Sequence, residues 1–157
     1  MKNKKKNFVL SCGILALVII AGILIWITQK EPDSAFTPDL DPNAVAQTDE
    51  TAEKPEGIRI PGYPRITIPA DTEDVTMNLK NPEGNPCYFT FEIVLTDGEE
   101  TLYRSKMVEP GKAITNVTLS HALEKGEYPA MIKITTTSLT DGSTMNGANV
   151  ETVLVVE

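Results

Sequence analysis

The sequence predicts an all-β domain of about seven strands, preceded by one transmembrane α-helix and an acidic linker. Three features lead to this prediction: an apolar run over residues 8–27, a polar stretch over 28–57, and a region rich in Thr, Val and Ile from residue 58 onward. This last region has about 100 residues, the commonest size of a single domain. We therefore divide the chain into a basic tail (1–7), a transmembrane helix (8–27), a disordered linker (28–57) and a β-sandwich domain (58–157).

The apolar run FVLSCGILALVIIAGILIWI has the length of a transmembrane helix. The run has about 20 residues, which span roughly 30 Å as a helix and so match the hydrocarbon thickness of a bilayer. Lipid offers the backbone no hydrogen-bond partners, so the run is expected to be helical. Few apolar residues precede Cys12, whereas the apolar region of a cleaved signal needs about 7–15. We therefore predict an uncleaved signal anchor held in the lipid bilayer; the alternative is a lipoprotein lipidated at Cys12.

The charges that flank the helix predict its orientation. Lys4, Lys5 and Lys6 precede it together with Lys2, and positive charge is retained on the cytoplasmic side of a membrane. Trp26 falls near the opposite end, where an amphipathic ring suits the membrane interface. We expect a single-pass protein of the plasma membrane with a cytoplasmic N-terminus and an extracytoplasmic C-terminus. The basic tail and the acidic domain together favour a bacterial envelope.

Charge and cysteine count restrict the partners and the means of stabilisation. All 22 acidic residues follow the helix with only ten of the 14 Lys and Arg residues, which leaves the exported part a formal charge of −12. Nucleic acid and anionic membrane surfaces require a cationic face, so we predict no nucleic-acid partner. Cys12 lies in the predicted helix and Cys87 in the domain, so no intrachain disulfide is expected. Cys87 is predicted to be a small buried hydrophobe; a reactive or intermolecularly paired thiol is the alternative.

The linker has the composition of a disordered spacer. Residues 28–57 contain eight acids, two lysines and four prolines. Their apolar residues repeat at neither 2 nor 3.6 positions, so no face could be buried, and such a composition is typical of disorder.

Alternating apolar residues and turn signals predict the strands of the domain. Turn sequences such as NPEGNP, TDGEE, EPGK and TDGST separate the apolar segments, and Asp-Gly is a strong hairpin signal. Regularly spaced short strands without a long helix are typical of a β-sandwich. The predicted strands are RITIPA (65–70), DVTMNLK (74–80), CYFTFEIVLT (87–96), TLYRSKMV (101–108), AITNVTL (113–119), EYPAMIKITTTSL (127–139) and NVETVLVV (149–156).

The segment LEKGEYPAMIKI resembles the corner before strand F in immunoglobulin and fibronectin type III-like domains. The similarity lies in Leu123, Gly126 and Tyr128, followed by alternating apolar residues. The resemblance implies an immunoglobulin-like sandwich in which the Tyr128 hydroxyl reaches back to the backbone and closes the corner. It therefore implies a structural role for these three residues. The paired cysteines of antibody domains are absent, and the only Trp lies in the predicted helix. Domains of this kind serve mostly adhesion, recognition or spacing.

Residues that could carry chemistry are few. His121 is the only histidine, and the sequence has no Gly-rich nucleophile turn, phosphate loop or multi-histidine spacing. We therefore predict a protein that is not an enzyme and has no cofactor, although folding could still assemble a Ser-His-acid triad or a Cys87–His121 pair. We also predict no metal site, because the loop carboxylates lack the D-x-D-x-D-G spacing of a calcium loop; calcium binding by these carboxylates is the alternative. These carboxylates are Asp71, Glu73, Asp74, Asp97, Glu99, Glu100 and Asp141.

Two classes of function fit these features. The first is a membrane-anchored cell-surface recognition or adhesion module whose domain binds a protein or glycan partner. The second is a structural accessory subunit of a membrane or secretion assembly, in which the helix also makes contacts. Cys12 and Ala16 are small residues four positions apart in the predicted helix. This single small-xxx-small spacing is a weak signal of helix packing. We therefore favour the first class.

Overall fold

Eight strands and no helix make up the described residues of the computed structural model, which are 36–47 and 57–157. The all-β prediction is therefore confirmed for this part of the chain, in which no helix could cross a membrane. The basic tail, the apolar run 8–27, Lys4, Lys5, Lys6 and Trp26 lie outside the described residues. The strands are β1 (Ala44–Ala46), β2 (Ile66–Ile68), β3 (Asp74–Asn81), β4 (Cys87–Leu95), β5 (Thr101–Arg104), β6 (Lys112–Thr118), β7 (Gly126–Ser138) and β8 (Thr144–Val156).

The strands form two sheets. One has three strands in the order β1-β6-β3, and the other has five in the order β2-β8-β7-β4-β5. Neighbouring strands are antiparallel except β2, which pairs with the end of β8 in parallel. β2 to β8 correspond to the seven strands that the alternating pattern predicted.

One hydrophobic core contains residues from both sheets. Alternate residues of β3 and β4 are buried, as the period of two predicted, since successive side chains in a strand point to opposite faces. The Phe89 and Phe91 rings lie 5.8 Å apart, centroid to centroid, in an edge-on arrangement. The largest fully buried side chains include Phe89, Phe91, Ile93 and Ile132 from the larger sheet and Leu79 and Ile114 from the smaller.

A buried pair of asparagines joins the ends of several strands. Asn81, at the end of β3, donates from Nδ2 to the carbonyl oxygens of Cys87 and Val108, each at 2.9 Å. Asn85 donates to Asn81 Oδ1 and to the Arg59 carbonyl, each at 2.9 Å. The Arg59 N–H in turn donates to Asn85 Oδ1 at 2.8 Å. Both amides are buried with partners for their polar atoms, which avoids the cost of burying an unpaired polar group.

The structure differs from the expected disordered linker over residues 36–47, which we call the arm. Its strand β1 pairs with β6, which leaves the smaller sheet with a third strand. Asp41 holds the arm in place: its carboxylate accepts the Asn43 N–H and the Lys106 N–H, both at 2.9 Å. The Asp41 N–H donates to the Met107 carbonyl at 2.8 Å. These bonds explain why a segment without apolar periodicity is fixed to the sandwich.

Phe36 anchors the other end of the arm against the turn between β7 and β8. Its ring lies so close to Gly142 that a Cβ there would approach Phe36 Cδ2 to 2.2 Å. Gly142 also has a φ of +71°, which favours glycine. The Phe36 ring contacts Tyr88 of β4 at a centroid distance of 6.1 Å. The arm therefore contacts both sheets.

A β-bulge interrupts the pairing of the two longest strands. Ile134 faces Ala148 and Thr136 faces Met145, so two residues of β8 lie opposite one residue of β7. At Gly147 an added Cβ would lie 2.2 Å from the Ile134 carbonyl oxygen, which belongs to the backbone and cannot move aside cheaply. Thr136 Oγ1 donates to the Asn146 carbonyl at 3.0 Å and stabilises the bulge.

We expect Gly147→Ala to lower the free energy of unfolding by about 1–3 kcal/mol, because the new methyl group overpacks the bulge. The measurement is thermal or urea unfolding followed by circular dichroism. Gly62→Ala is the matched control, since nothing lies within 4 Å of a Cβ built at Gly62. Equal melting temperatures for the two variants would contradict the close approach at the bulge.

Candidate functional site

The corner before β7 contains the three residues that the sequence singled out. Tyr128 Oη donates to the Glu124 carbonyl at 2.9 Å, so the hydroxyl reaches back four residues along the backbone. Leu123 is buried in the core, and its carbonyl accepts the Asp71 N–H at 2.9 Å. A Cβ at Gly126 would lie 3.3 Å from the Tyr128 ring, so glycine lets the ring pack closely over the backbone. The Tyr128 ring itself is only half-buried.

A concave surface with mixed chemistry lies on the outer face of the larger sheet. We call it the outer groove; it has a volume of about 480 Å³. Its apolar side chains include Met131 of β7 and Val153 of β8, and Pro64 and Pro129 lie beside them. Glu151 contributes a carboxylate, exposed on β8, that pairs with no cation among the described residues. Such a groove can bind an apolar side chain with a neighbouring cation.

His121 does not form a catalytic triad with its neighbours. Ser120 Oγ lies 3.2 Å from His121 Nδ1, and Glu100 Oε1 lies 3.4 Å from the same nitrogen. A triad requires the nucleophile and the acid to contact opposite ring nitrogens, so that one accepts a proton while the other is held. The three side chains are also largely exposed. This arrangement supports a solvent-exposed polar contact and does not activate Ser120.

Cys87 lies wholly inside the core and forms no disulfide with any of the described residues. Burial raises the pKa of its thiol, because the charged thiolate is poorly solvated there. The thiolate is the reactive form of cysteine, so this environment disfavours both nucleophilic attack and disulfide formation. The structure thus favours the buried-hydrophobe interpretation, and His121, exposed at the surface, is not paired with this thiol.

The loop carboxylates do not converge. Within residues 36–47 and 57–157, no three His, Cys, Asp or Glu side chains are grouped in a way that could hold a metal ion. Asp74 instead accepts the Thr118 hydroxyl at 2.7 Å. Asp141 accepts the Ser143 hydroxyl at 2.8 Å and the Ser143 N–H at 3.1 Å, and these bonds lower the pKa of Asp141. Both acids therefore have local hydrogen-bond roles.

Comparisons with protein-family models, with characterised protein sequences and with solved structures gave no match for this chain. Its candidate site therefore rests on its own geometry. The sequence reasoning missed the outer groove, although a signal was present. Pro129, Met131 and Val153 alternate with the buried residues of β7 and β8, so apolar side chains occur on both faces of these strands. Strands covered on both faces show such continuous apolar runs.

We expect Tyr128→Phe to lower the free energy of unfolding by about 0.5–1.5 kcal/mol, since it removes one hydrogen bond at a half-exposed position. Unfolding by urea, followed by circular dichroism, measures the loss. Tyr88→Phe is the control, because Tyr88 contacts Phe36 through its ring and its hydroxyl has no hydrogen-bond partner among the described residues. A loss as small as that of Tyr88→Phe would show that the corner does not depend on the Tyr128 hydroxyl.

Proposed function

We propose that this chain is a single-pass membrane protein that displays a non-catalytic, immunoglobulin-like sandwich outside the cytoplasm as a recognition or adhesion module. The observation that carries the proposal is the outer groove, which combines apolar walls with an unpaired carboxylate. Concave sites with apolar walls and few polar groups are the usual form of binding sites. The anchor rests on the sequence of residues 8–27.

The strand order supports the immunoglobulin-like assignment. In such sandwiches strands A, B, E and D form one sheet, and C, F and G form the other, to which variable-type domains add strands beside C. If β3, β4, β6, β7 and β8 are taken as B, C, E, F and G, the order β8-β7-β4-β5 reproduces G-F-C with an added strand. The neighbours β6 and β3 reproduce E-B. The Tyr128 hydroxyl bond at the start of β7 occupies the corner before strand F.

Two departures from that order accompany the likeness. The segment between β5 and β6, residues 105–111, contains no strand that could serve as strand D. The position beside strand E is filled instead by β1 of the arm. β2, which precedes β3 in the place of strand A, pairs in parallel with β8 and not with β3. Both departures concern edge strands, and the central strands keep the order of the family.

The charge and the groove together favour a protein partner with a basic surface. The exported part carries a formal charge of −12, and Glu151 adds a carboxylate at the groove itself. Complementary charge raises association rates and excludes partners of like charge. Met131 and Val153 offer contacts for an apolar side chain. We infer that the partner presents an apolar side chain beside Lys or Arg; a glycan would need more hydrogen-bonding groups than this groove supplies.

We expect the chain to be anchored by its helix and not by a lipid on Cys12. Labelling of cells with a radioactive fatty acid should leave the chain unlabelled, and Cys12→Ala should stay in the membrane fraction after carbonate extraction. The reason is that the apolar run continues for about 15 residues beyond Cys12, enough with the preceding residues to span the hydrocarbon layer. Release of Cys12→Ala into the soluble fraction would contradict the anchor.

We expect the proteins captured by the full chain from envelope extracts to be lost on Met131→Glu, which places a charge in the outer groove. Asn78→Glu, on an exposed face of β3, is the control and should capture the same proteins. The readout is quantitative mass spectrometry of material purified with each variant. Capture that survives Met131→Glu but is lost when residues 1–27 are deleted would favour the accessory-subunit alternative. Capture unaffected by either change would contradict both functions.

A further inference from the structure

The outer groove offers a main-chain acceptor as well as its side chains. Thr96 follows β4 and lines the groove, and its N–H donates to the Pro129 carbonyl at 3.0 Å. This bond continues the register in which Leu95 faces Ala130. A hydrogen-bonded antiparallel pair normally exchanges two such bonds, but Pro129 has no N–H to return. Among the described residues nothing therefore donates to the Thr96 carbonyl.

The two polar ends of the groove are about three extended residues apart. Thr96 is exposed on the β4 side and Glu151 is exposed on β8, with the apolar residues Pro129, Met131 and Val153 between them. In the sheet β7 separates β4 from β8, and neighbouring strands lie about 4.8 Å apart, so the ends are about 10 Å apart across the strands. An extended chain rises about 3.3 Å per residue. A short extended segment can therefore reach both ends.

The charges at the groove favour a basic occupant. Glu151 provides a carboxylate at one end, and a second acid, Asp97, directly follows Thr96 at the other. Lys133 of β7 lies diagonally from Glu151 across the strand pair, yet no ion pair joins these two side chains. The Glu151 carboxylate is therefore available to a cation of the partner, and Lys133 weakens the attraction without cancelling it.

We propose that the outer groove binds an extended segment of a partner protein that carries an apolar and a basic residue two positions apart. The apolar side chain packs among Pro129, Met131 and Val153, and the basic side chain pairs with Glu151. Alternate side chains of an extended chain point to the same side, so this spacing directs both into the groove. A main-chain N–H of the segment donates to the Thr96 carbonyl. The inference rests on the proposed function and adds the conformation and spacing of the partner.

The segment lies on the face of the sheet and crosses its strands. It therefore leaves β2 in place beside β8, and Pro64, just before β2, forms a wall of the groove. An extended segment has main-chain N–H groups that are not already paired within a helix, so one is free for the Thr96 carbonyl. An anionic segment is repelled by Glu151. The contact area is small, so we expect weak binding by an isolated peptide.

The test is an NMR titration of the full chain in detergent micelles, with carbon-13 in the methionine methyl groups. The probes are two capped peptides of the same composition and charge. Arg-Ser-Leu-Ser-Arg has its basic residues two positions from leucine, whereas Ser-Arg-Leu-Arg-Ser has them next to it. We expect the first peptide to shift the Met131 signal with a dissociation constant of about 1 mM, and the second to bind several-fold more weakly. Met77, buried in the core, is the internal reference and should not shift.

Variants of the chain test the charge and the main-chain acceptor separately. Glu151→Gln should raise the dissociation constant of the first peptide roughly 1.5- to 5-fold, as for an exposed ion pair. Glu83→Gln, which removes an exposed carboxylate from the turn before β4, should leave it unchanged. Lys133→Gln should lower it, because an ammonium group that repels the basic residue is removed. Pro129→Ala supplies the missing N–H, so this amide should resist hydrogen exchange and peptide binding should weaken.

Equal affinity for the two peptides, or an unchanged affinity in Glu151→Gln, would overturn the proposed spacing. A Met131 signal that shifts with neither peptide would overturn the extended segment. The proposed function is tested separately, because loss of capture on Met131→Glu requires only that the groove contacts the partner. Capture lost on Met131→Glu but kept on Glu151→Gln would therefore contradict the basic residue while it supports the recognition module.

Discussion

The buried hydrogen bonds of Asn81 hold together segments that no single sheet connects. Its amide bonds to backbone carbonyls at the start of β4 and just before β6, and through Asn85 it reaches Arg59. Removing this amide would remove three hydrogen bonds among buried groups, each of which contributes about 0.5–1.5 kcal/mol, although the Val108 carbonyl would still accept the Phe89 N–H. The segment that leads to β2, the β3–β4 turn and the 108–111 turn therefore meet at one side chain. The hydrophobic core then fills the space that these fixed backbones enclose.

Most of the fold could be predicted from the sequence because it follows from alternation. The buried faces of β3, β4 and β7 carry Val75, Phe89 and Ile132 at the positions that a period of two requires. The strand β1 could not be predicted in this way. Its three residues, Ala-Val-Ala, form no pattern, and they are held by the edge of β6 and the Asp41 carboxylate. Such tertiary hydrogen bonds leave no periodic trace in a sequence.

The candidate site was harder to predict than the fold, for a related physical reason. Tyr128 could be singled out because a short local motif surrounds it, and its hydroxyl acts only four residues away. The outer groove combines Pro64, Thr96 and Val153, which are far apart in sequence and meet through the pairing of β7 with β4 and β8. No spacing in the chain indicates such a set.

The arm changes how the molecule would bear a mechanical load. A pull from the N-terminal side acts first on the contacts of the arm, which are the Phe36 ring, the Asp41 bonds and the three pairs of β1. The arm contributes little to the buried core, so it can detach while the seven other strands stay folded. The 12 residues of the arm, 36–47, would then be free to extend to about 40 Å. The arm thus gives the domain an extensible element that yields before the sandwich unfolds.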